Sequence, residues 1–233
     1  MNNSSSQKQI DIKKYENFIF DMDGTLIDAE NLHFESFKKA LDHFFKLPLT
    51  REDFKYFFAG TESNHSFPNF LQYNGIIEFN LDEILFFTKS VRREKLEKDF
   101  DSVVKLKPFA KEFLEILYKN ERKICLATSA SRTFAEYVLE KANIYYLFDD
   151  FVFAEDTEKS KPDPEIFLTA MNKLDGNLEN SVIFEDSKNG ITAGKKSKIF
   201  TIAIYTEGMN DEFVQMADFI VSGYEDFVKS FSV

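Results

Sequence analysis

At 233 residues the chain is longer than the commonest single domain of roughly 100–150 residues and too short for two full ones, so one domain carrying a smaller insert is expected. With 43% hydrophobic and 30% charged residues it can build a core and lacks the low hydrophobicity of a disordered chain. A net charge of -11 repels nucleic-acid phosphates, and no run approaches the ~18 apolar residues of a membrane span. The single cysteine, Cys125, excludes an internal disulfide or a cysteine metal cluster, which makes reducing cytoplasm the expected compartment.

Residues 1–13 are polar and aperiodic and read as a disordered tail, without the apolar block of a secretory signal. Phe18–Phe20 is the first short apolar run and reads as a buried strand. From 31 to 105 the pattern is helical throughout: Phe34, Phe37, Leu41 and Phe44, then Phe54, Phe57 and Phe58, then Ile84, Leu85, Val91 and Leu96. No strand is expected among these helices, so they read as a helical subdomain inserted after the first strand. Strands are predicted again at Ile124–Ala127, Phe151–Phe153, Val182–Phe184, Ile202–Tyr205 and Phe219–Val221. Between them, Ser131 is placed to cap a helix carrying Phe134, Val138 and Leu139, and Asp163-Pro164 to open one carrying Phe167 and Met171. Short, continuously apolar strands alternating with helices predict an α/β fold, a Rossmann-like parallel sheet covered on both faces. The predicted core is 14–30 with 106–233, and the predicted helical insert 31–105.

Ligands of an open parallel sheet bind beyond the carboxyl ends of its strands, so the residues after each apolar run carry the chemistry. The first strand empties into Asp21, Met22, Asp23, Gly24 and Thr25, the second into Thr128 and Ser129, a later one into Glu185 and Asp186, with Lys161 in a loop between. Two carboxylates ~4 Å apart repel by about 4 kcal/mol at an effective dielectric near 20, so Asp21, Glu185 and Asp186 demand a cation. An all-oxygen donor set without thiolates or paired histidines predicts Mg²⁺. In this reading an Asp21 oxygen attacks phosphorus to give an aspartyl-phosphate, and Asp23 protonates the leaving alkoxide and then activates water. Gly24 permits a tight turn, Thr128 and the adjacent helix start offer donors to phosphoryl oxygens, and Lys161 supplies a point charge on a loop stiffened by Pro162 and Pro164. Each residue also has a plain structural reading: Asp21 and Asp23 as turn formers, Glu185 and Asp186 as a helix cap, Lys161 as an exposed lysine, Thr128 as a strand-end hydroxyl, Cys125 as core filling.

The strings FIFDMDGTLID (18–28), LATSAS (126–131), SKPDPEIF (160–167) and VIFEDSKNGI (182–191) resemble, in order, the four motifs of the haloacid dehalogenase superfamily, in its phosphatase and phosphomutase branch. The resemblance spans roughly 15–227 and implies Asp21 as nucleophile and Asp23 as acid/base. It also implies phosphate binding by Gly24, Thr128, Ser129 and Lys161, and a Mg²⁺ site of Asp21, Glu185, Asp186 and the Asp23 carbonyl. The inserted helices resemble the mobile helical cap of that family, which reads the leaving group. His33 stands where sugar-phosphate members commonly carry a histidine near the hinge, beside Asp28; the remaining cap candidates are Lys89 and the loop Gly60, Thr61, Glu62, Ser63, Asn64, His65. The chain has Phe109, Ser160 and Lys198 where the family often has glycine.

The expected activity is Mg²⁺-dependent hydrolysis of a phosphomonoester, a sugar phosphate or other small phosphorylated metabolite, by a monomer. A phosphomutase of the β-phosphoglucomutase type is the alternative, disfavoured because Ser63 stands where that enzyme's phosphate-binding arginine would align, although Arg92, Arg93 or Lys89 could substitute. A dehalogenase is disfavoured by Asp23. A catalytically inactive binding protein is disfavoured because all the charged site residues are present, a costly group to keep without function.

Overall fold

The structure, a computed structural model, describes residues 10–58, 63–205 and 211–231. The chain divides into two compact units, Met1–Leu26 with Lys107–Val233, and Ile27–Leu106. The first unit is built on strand β1 (Asn17–Phe20). The second begins with β2 (Ile27–Asp28), followed by helices α1 (Glu30–Phe45), α2 (Arg51–Phe57), α3 (Ser63–Tyr73) and α4 (Leu81–Val103), and ends with β3 (Lys105–Leu106). The first unit then resumes with α5 (Ala110–Lys119), β4 (Lys123–Ala127), α6 (Arg132–Lys141), β5 (Asp150–Val152), α7 (Glu165–Lys173), β6 (Ser181–Glu185) and α8 (Lys188–Ser197). It closes with β7 (Phe200–Ile204), α9 (Asp211–Val214), β8 (Phe219–Val221) and α10 (Glu225–Phe231).

Six strands make one sheet in the order β5-β4-β1-β6-β7-β8, every neighbouring pair parallel. The chain runs outward from β1 through β4 to β5, then returns beside β1 at β6 and runs outward the other way. Connections therefore leave β1 and β6 in opposite directions, and their carboxyl ends flank the crevice where such sheets bind ligands. Period-two alternation sorts the side chains. Ile19, Cys125, Ala127 and Ile183 pack with Ile166, Phe167 and Ala170 of α7 and Ala193 of α8. On the alternate positions, the rings of Phe18, Phe20 and Phe184 meet those of Phe113 on α5, Tyr224 and Phe227.

The helical unit has its own core of Phe34, Phe37, Leu41, Phe54, Phe58, Phe67, Phe70, Leu71 and Ile84. Its α2 opens on a reciprocal cap: the Asp53 amide donates to Thr50 Oγ1 at 3.0 Å and the Thr50 amide to Asp53 Oδ2 at 3.1 Å. The antiparallel pairing of β2 with β3 takes this unit to Ile27 and Leu106, outside the boundaries of 31 and 105 that helical periodicity marked. Two-residue strands are too short to show a period.

Three local expectations are corrected. Ile12–Lys14 form a 3-10 turn with Ile12 buried, so packing begins before residue 14; one isoleucine among polar neighbours carries no pattern. Residues 1–9 of the expected tail lie outside the described residues. Ser63, Asn64 and His65, expected in a loop, stand on the first turn of α3, whose buried Phe67, Phe70 and Leu71 supply the helical spacing. Ser131 holds the capping position of α6 but makes no side-chain cap bond; Glu155 Oε2 accepts from the Arg132 amide at 3.1 Å instead.

Candidate active site

Beyond their first residues β1, β4 and β6 are buried on both faces, and their side chains meet polar surroundings again at the carboxyl ends, where Asp21, Thr128, Glu185 and Asp186 sit. Lys161 reaches the same place from the loop before α7 and is only 6% exposed. Its Nζ donates to Asp21 Oδ1 at 2.6 Å, to Glu185 Oε1 at 2.8 Å and to the Ala127 carbonyl at 3.2 Å, using all three N–H groups. Burial alone would depress the lysine pKa, but Asp21 and Glu185 outweigh it and hold the ammonium charged. The loop is anchored by Glu165, whose two oxygens accept from the Glu158 and Lys159 amides at 2.8 and 3.0 Å, and by Lys196, which donates to the Pro162 carbonyl at 3.0 Å.

Burial pushes the Asp21 carboxyl up to about 7, with Lys161 opposing and the charges of Glu185 and Asp23 adding. Asp186 is also raised well above the usual carboxylate range, by burial first and then by Glu185 and Asp21. Asp186 Oδ1 accepts from Thr25 Oγ1 at 2.9 Å. Asp23 is half-buried in the same turn. Gly24 has φ +89°, and a Cβ built there would fall 2.0 Å from Asp186 Oδ2, so glycine is required both by conformation and by the approach of the carboxylate.

Both oxygens of Glu185, expected as a metal ligand, accept hydrogen bonds from protein donors. Its Oε1 accepts from Lys161 and its Oε2 from the Ser187 amide at 2.6 Å. A Cβ at Gly190 would lie 1.6 Å from Glu185 Oε1, so α8 presses its backbone against this carboxylate. Sequence reading sees two adjacent acids and cannot see that Lys161 claims one of them.

Among the described residues, no group of three or more carboxylate, imidazole and thiol side chains is arranged to hold a metal. Asp21 and Asp186 each direct one oxygen to a protein donor and leave the other without a hydrogen bond among the described residues. Two such carboxylates, each raised in pKa by burial first and then by acidic neighbours, suit a hard cation that keeps much of its own water, as Mg²⁺ does, better than an all-protein cage.

Thr128 is buried, and its Oγ1 accepts from the Ala130 amide at 3.1 Å; Ser129 beside it is exposed. The first amide of α6, expected to face phosphate, is occupied by Glu155, so Thr128 and Ser129 remain the donors on this strand end. The structure thus brings Asp21, Lys161, Glu185 and Asp186 together at the ends of β1 and β6, with Gly24 against Asp186 and Thr128 at the end of the neighbouring β4. His33, Asn64 and Lys89 belong to the helical unit: His33 is half-buried on α1 with its ring 6.2 Å from Phe37, while Asn64 and Lys89 are exposed on α3 and α4. Gly60, Thr61 and Glu62 lie outside the described residues. Of the two other basic candidates, Arg93 is bonded to Glu97 at 2.8 Å, and Arg92 lies over the Phe37 ring at 6.0 Å. Sequence reading missed the roles of Thr25, Ser187 and Gly190; the last two lie inside the quoted VIFEDSKNGI string, as the cap and first turn of α8.

Residues 18–204 match the family model described as haloacid dehalogenase-like hydrolase. The chain is 34% identical over 193 residues to the phosphorylated carbohydrates phosphatase of Thermotoga maritima, covering 83% of this chain and 86% of that protein. It is 27% identical over 192 residues to the pyrophosphatase PpaX of Bacillus velezensis, covering 82% and 84%. In fold it matches the crystal structure of CbbY from Rhodobacter sphaeroides in complex with phosphate, with a TM-score of 0.79 at 20% identity over 91% of this chain and 96% of that one.

Proposed function

The chain belongs to the haloacid dehalogenase-like hydrolase family, and from that premise we propose that it is a Mg²⁺-dependent phosphatase of small phosphorylated sugars or related metabolites, working through an aspartyl-phosphate at Asp21. The observation that carries this reading is the buried cluster at the strand ends, where Lys161 bonds both Asp21 and Glu185 beside Asp186.

Asp21, Asp186 and the Asp23 carbonyl would hold the cation. When bound, Mg²⁺ supplies positive charge that keeps the carboxylates ionised and neutralises phosphoryl oxygens. An Asp21 oxygen attacks phosphorus while Lys161 keeps that carboxylate oriented and offsets charge on the transferring group. Glu185 holds Lys161 in place. Thr128 and Ser129 receive the phosphoryl oxygens. Asp23 protonates the departing alkoxide, then takes a proton from the water that cleaves the acyl-phosphate, so the two half-reactions use one carboxyl in opposite directions.

The helical unit, Ile27–Leu106, is proposed as a cap that excludes water and reads the leaving group, with His33, Asn64 and Lys89 as its polar candidates. Relatives named as a phosphorylated carbohydrates phosphatase and a pyrophosphatase support trying sugar phosphates first among candidate substrates. No helix among the described residues is long and apolar enough to cross a membrane. A monomer in reducing cytoplasm fits the buried, unpaired Cys125.

The test is phosphate release from a panel of sugar phosphates and pyrophosphate, with Mg²⁺ and with chelator. Chelator is expected to abolish turnover, and Asp21→Asn to lower it by several orders of magnitude. Undiminished turnover under chelation, or Asp21→Asn behaving as wild type, would overturn the reading.

A further inference from the structure

The Asp186 carboxylate is held by the hydroxyl of Thr25, a residue whose backbone carbonyl is in turn held by Tyr224. Thr25 Oγ1 donates to Asp186 Oδ1 at 2.9 Å, and the Thr25 carbonyl accepts from Tyr224 Oη at 3.1 Å, across a separation of 199 residues. Thr25 lies in the turn after β1, where neither helix nor sheet supplies a partner for its carbonyl. It is fully buried, so an unpaired carbonyl would be costly, and among the described residues Tyr224 is its donor.

The Tyr224 ring is equally constrained. It is fully buried and lies 5.6 Å from Phe113, 6.0 Å from Phe184 and 6.3 Å from Phe20. Phe20 directly precedes Asp21, and Phe184 directly precedes Glu185 and Asp186. The same ring thus packs on the two strands that present the carboxylates, and its hydroxyl fixes the backbone of the residue that orients one of them. Burial and the charges of Asp186 and Asp21 keep the phenol protonated, hence a donor.

We propose that Tyr224 is a positioning residue for the cation site, acting through Thr25 to hold Asp186 in the orientation that receives the metal. The inference rests on the proposed reading of Asp186 as a metal ligand. Hydrogen bonds behind metal ligands commonly change affinity by 10–100-fold when removed, because a ligand that must be ordered on binding binds more weakly.

Tyr224→Phe keeps the ring and removes only the hydroxyl. Mn²⁺ binding to the full chain, followed by electron paramagnetic resonance in the absence of any substrate, should show a dissociation constant raised about tenfold. Thr25→Ser, which retains both the hydroxyl and the carbonyl, should bind Mn²⁺ within about twofold of wild type. Thr25→Val should lose as much affinity as Tyr224→Phe or more, and the double variant should lose less than the two combined, since both act on one oxygen. An unchanged Mn²⁺ affinity in Tyr224→Phe, with or without a lower melting temperature, would overturn the proposal and leave Tyr224 a packing residue. Should that variant not fold, wild-type protein carrying 3-fluorotyrosine decides: the residue-224 fluorine resonance is expected to shift on Mg²⁺ titration, and a fixed resonance counts against the proposal. If wild type itself binds no Mn²⁺, the metal reading of the site fails first, which separates the two failures.

Discussion

At residue scale, the site is a balance of charge in which Lys161 answers Asp21 and Glu185 while Asp186, among the described residues, is bonded only by the Thr25 hydroxyl. Because the Asp21 carboxyl is pushed up to about 7 by burial, and Asp186 is raised with it, a cation entering the proposed site would compete with protons. Below that pH the proton holds the site, and as pH rises through it the carboxylates ionise and the cation enters more easily. Calorimetry of Mg²⁺ binding in buffers of different ionisation enthalpy should therefore show more protons released at pH 6 than at pH 9; equal release at both would remove this account of Asp21. Gly190→Ala is expected to slow turnover although its side chain touches no reacting atom. Its Cβ would stand 1.6 Å from Glu185 Oε1, and shifting that carboxylate disturbs the Lys161 ammonium that orients Asp21. A displacement of about 1 Å commonly costs about 10²-fold in rate, and steady-state kinetics should show a loss of that order with the melting temperature changed much less.

At the scale of elements, β1, β4 and β6 were legible because strands buried on both faces are continuously apolar and each run ends abruptly at a polar residue. Asp21, Thr128, Glu185 and Asp186 could therefore be named before any geometry was known. What sequence could not convey is which acid each donor chooses. The Lys161–Asp21 bond joins residues 140 apart and the Thr25–Asp186 bond residues 161 apart, and nothing in the sequence says that Lys161 also donates to Glu185. The helix ends show a similar limit. Lys198, noted as standing where glycine is frequent, closes α8 in the left-handed region at φ 65°, and Phe109 opens α5 at φ 63°. A left-handed L-residue costs roughly 1–2 kcal/mol, partly offset because glycine loses more freedom on folding. Lys198→Gly is accordingly expected to stabilise the protein by about 0.5–1 kcal/mol in chemical denaturation, with turnover unchanged. A destabilised variant would show that the lysine side chain contributes something the backbone argument omits.

On the scale of the whole molecule, 28 phenylalanines say little as a composition but much once placed. In the sheet unit Phe18, Phe20, Phe113 and Phe184 form a ring-packed layer beneath the carboxylates, and in the helical unit Phe34, Phe37, Phe54, Phe58, Phe67 and Phe70 form a second core. Each unit closes its own apolar interior, so the helical one can vary its polar surface without disturbing the strand ends. That division fits a chemistry kept in one unit and a substrate preference set largely in the other. In the proposed reaction phosphorus is bonded to Asp21 during turnover. Rapid acid quenching of the working enzyme with a ³²P-labelled sugar phosphate, followed by peptide mapping, tests it directly. Label is expected on the peptide containing Asp21, appearing before free phosphate and absent from Asp21→Asn; phosphate accumulating with no label ever trapped on that peptide would contradict the account.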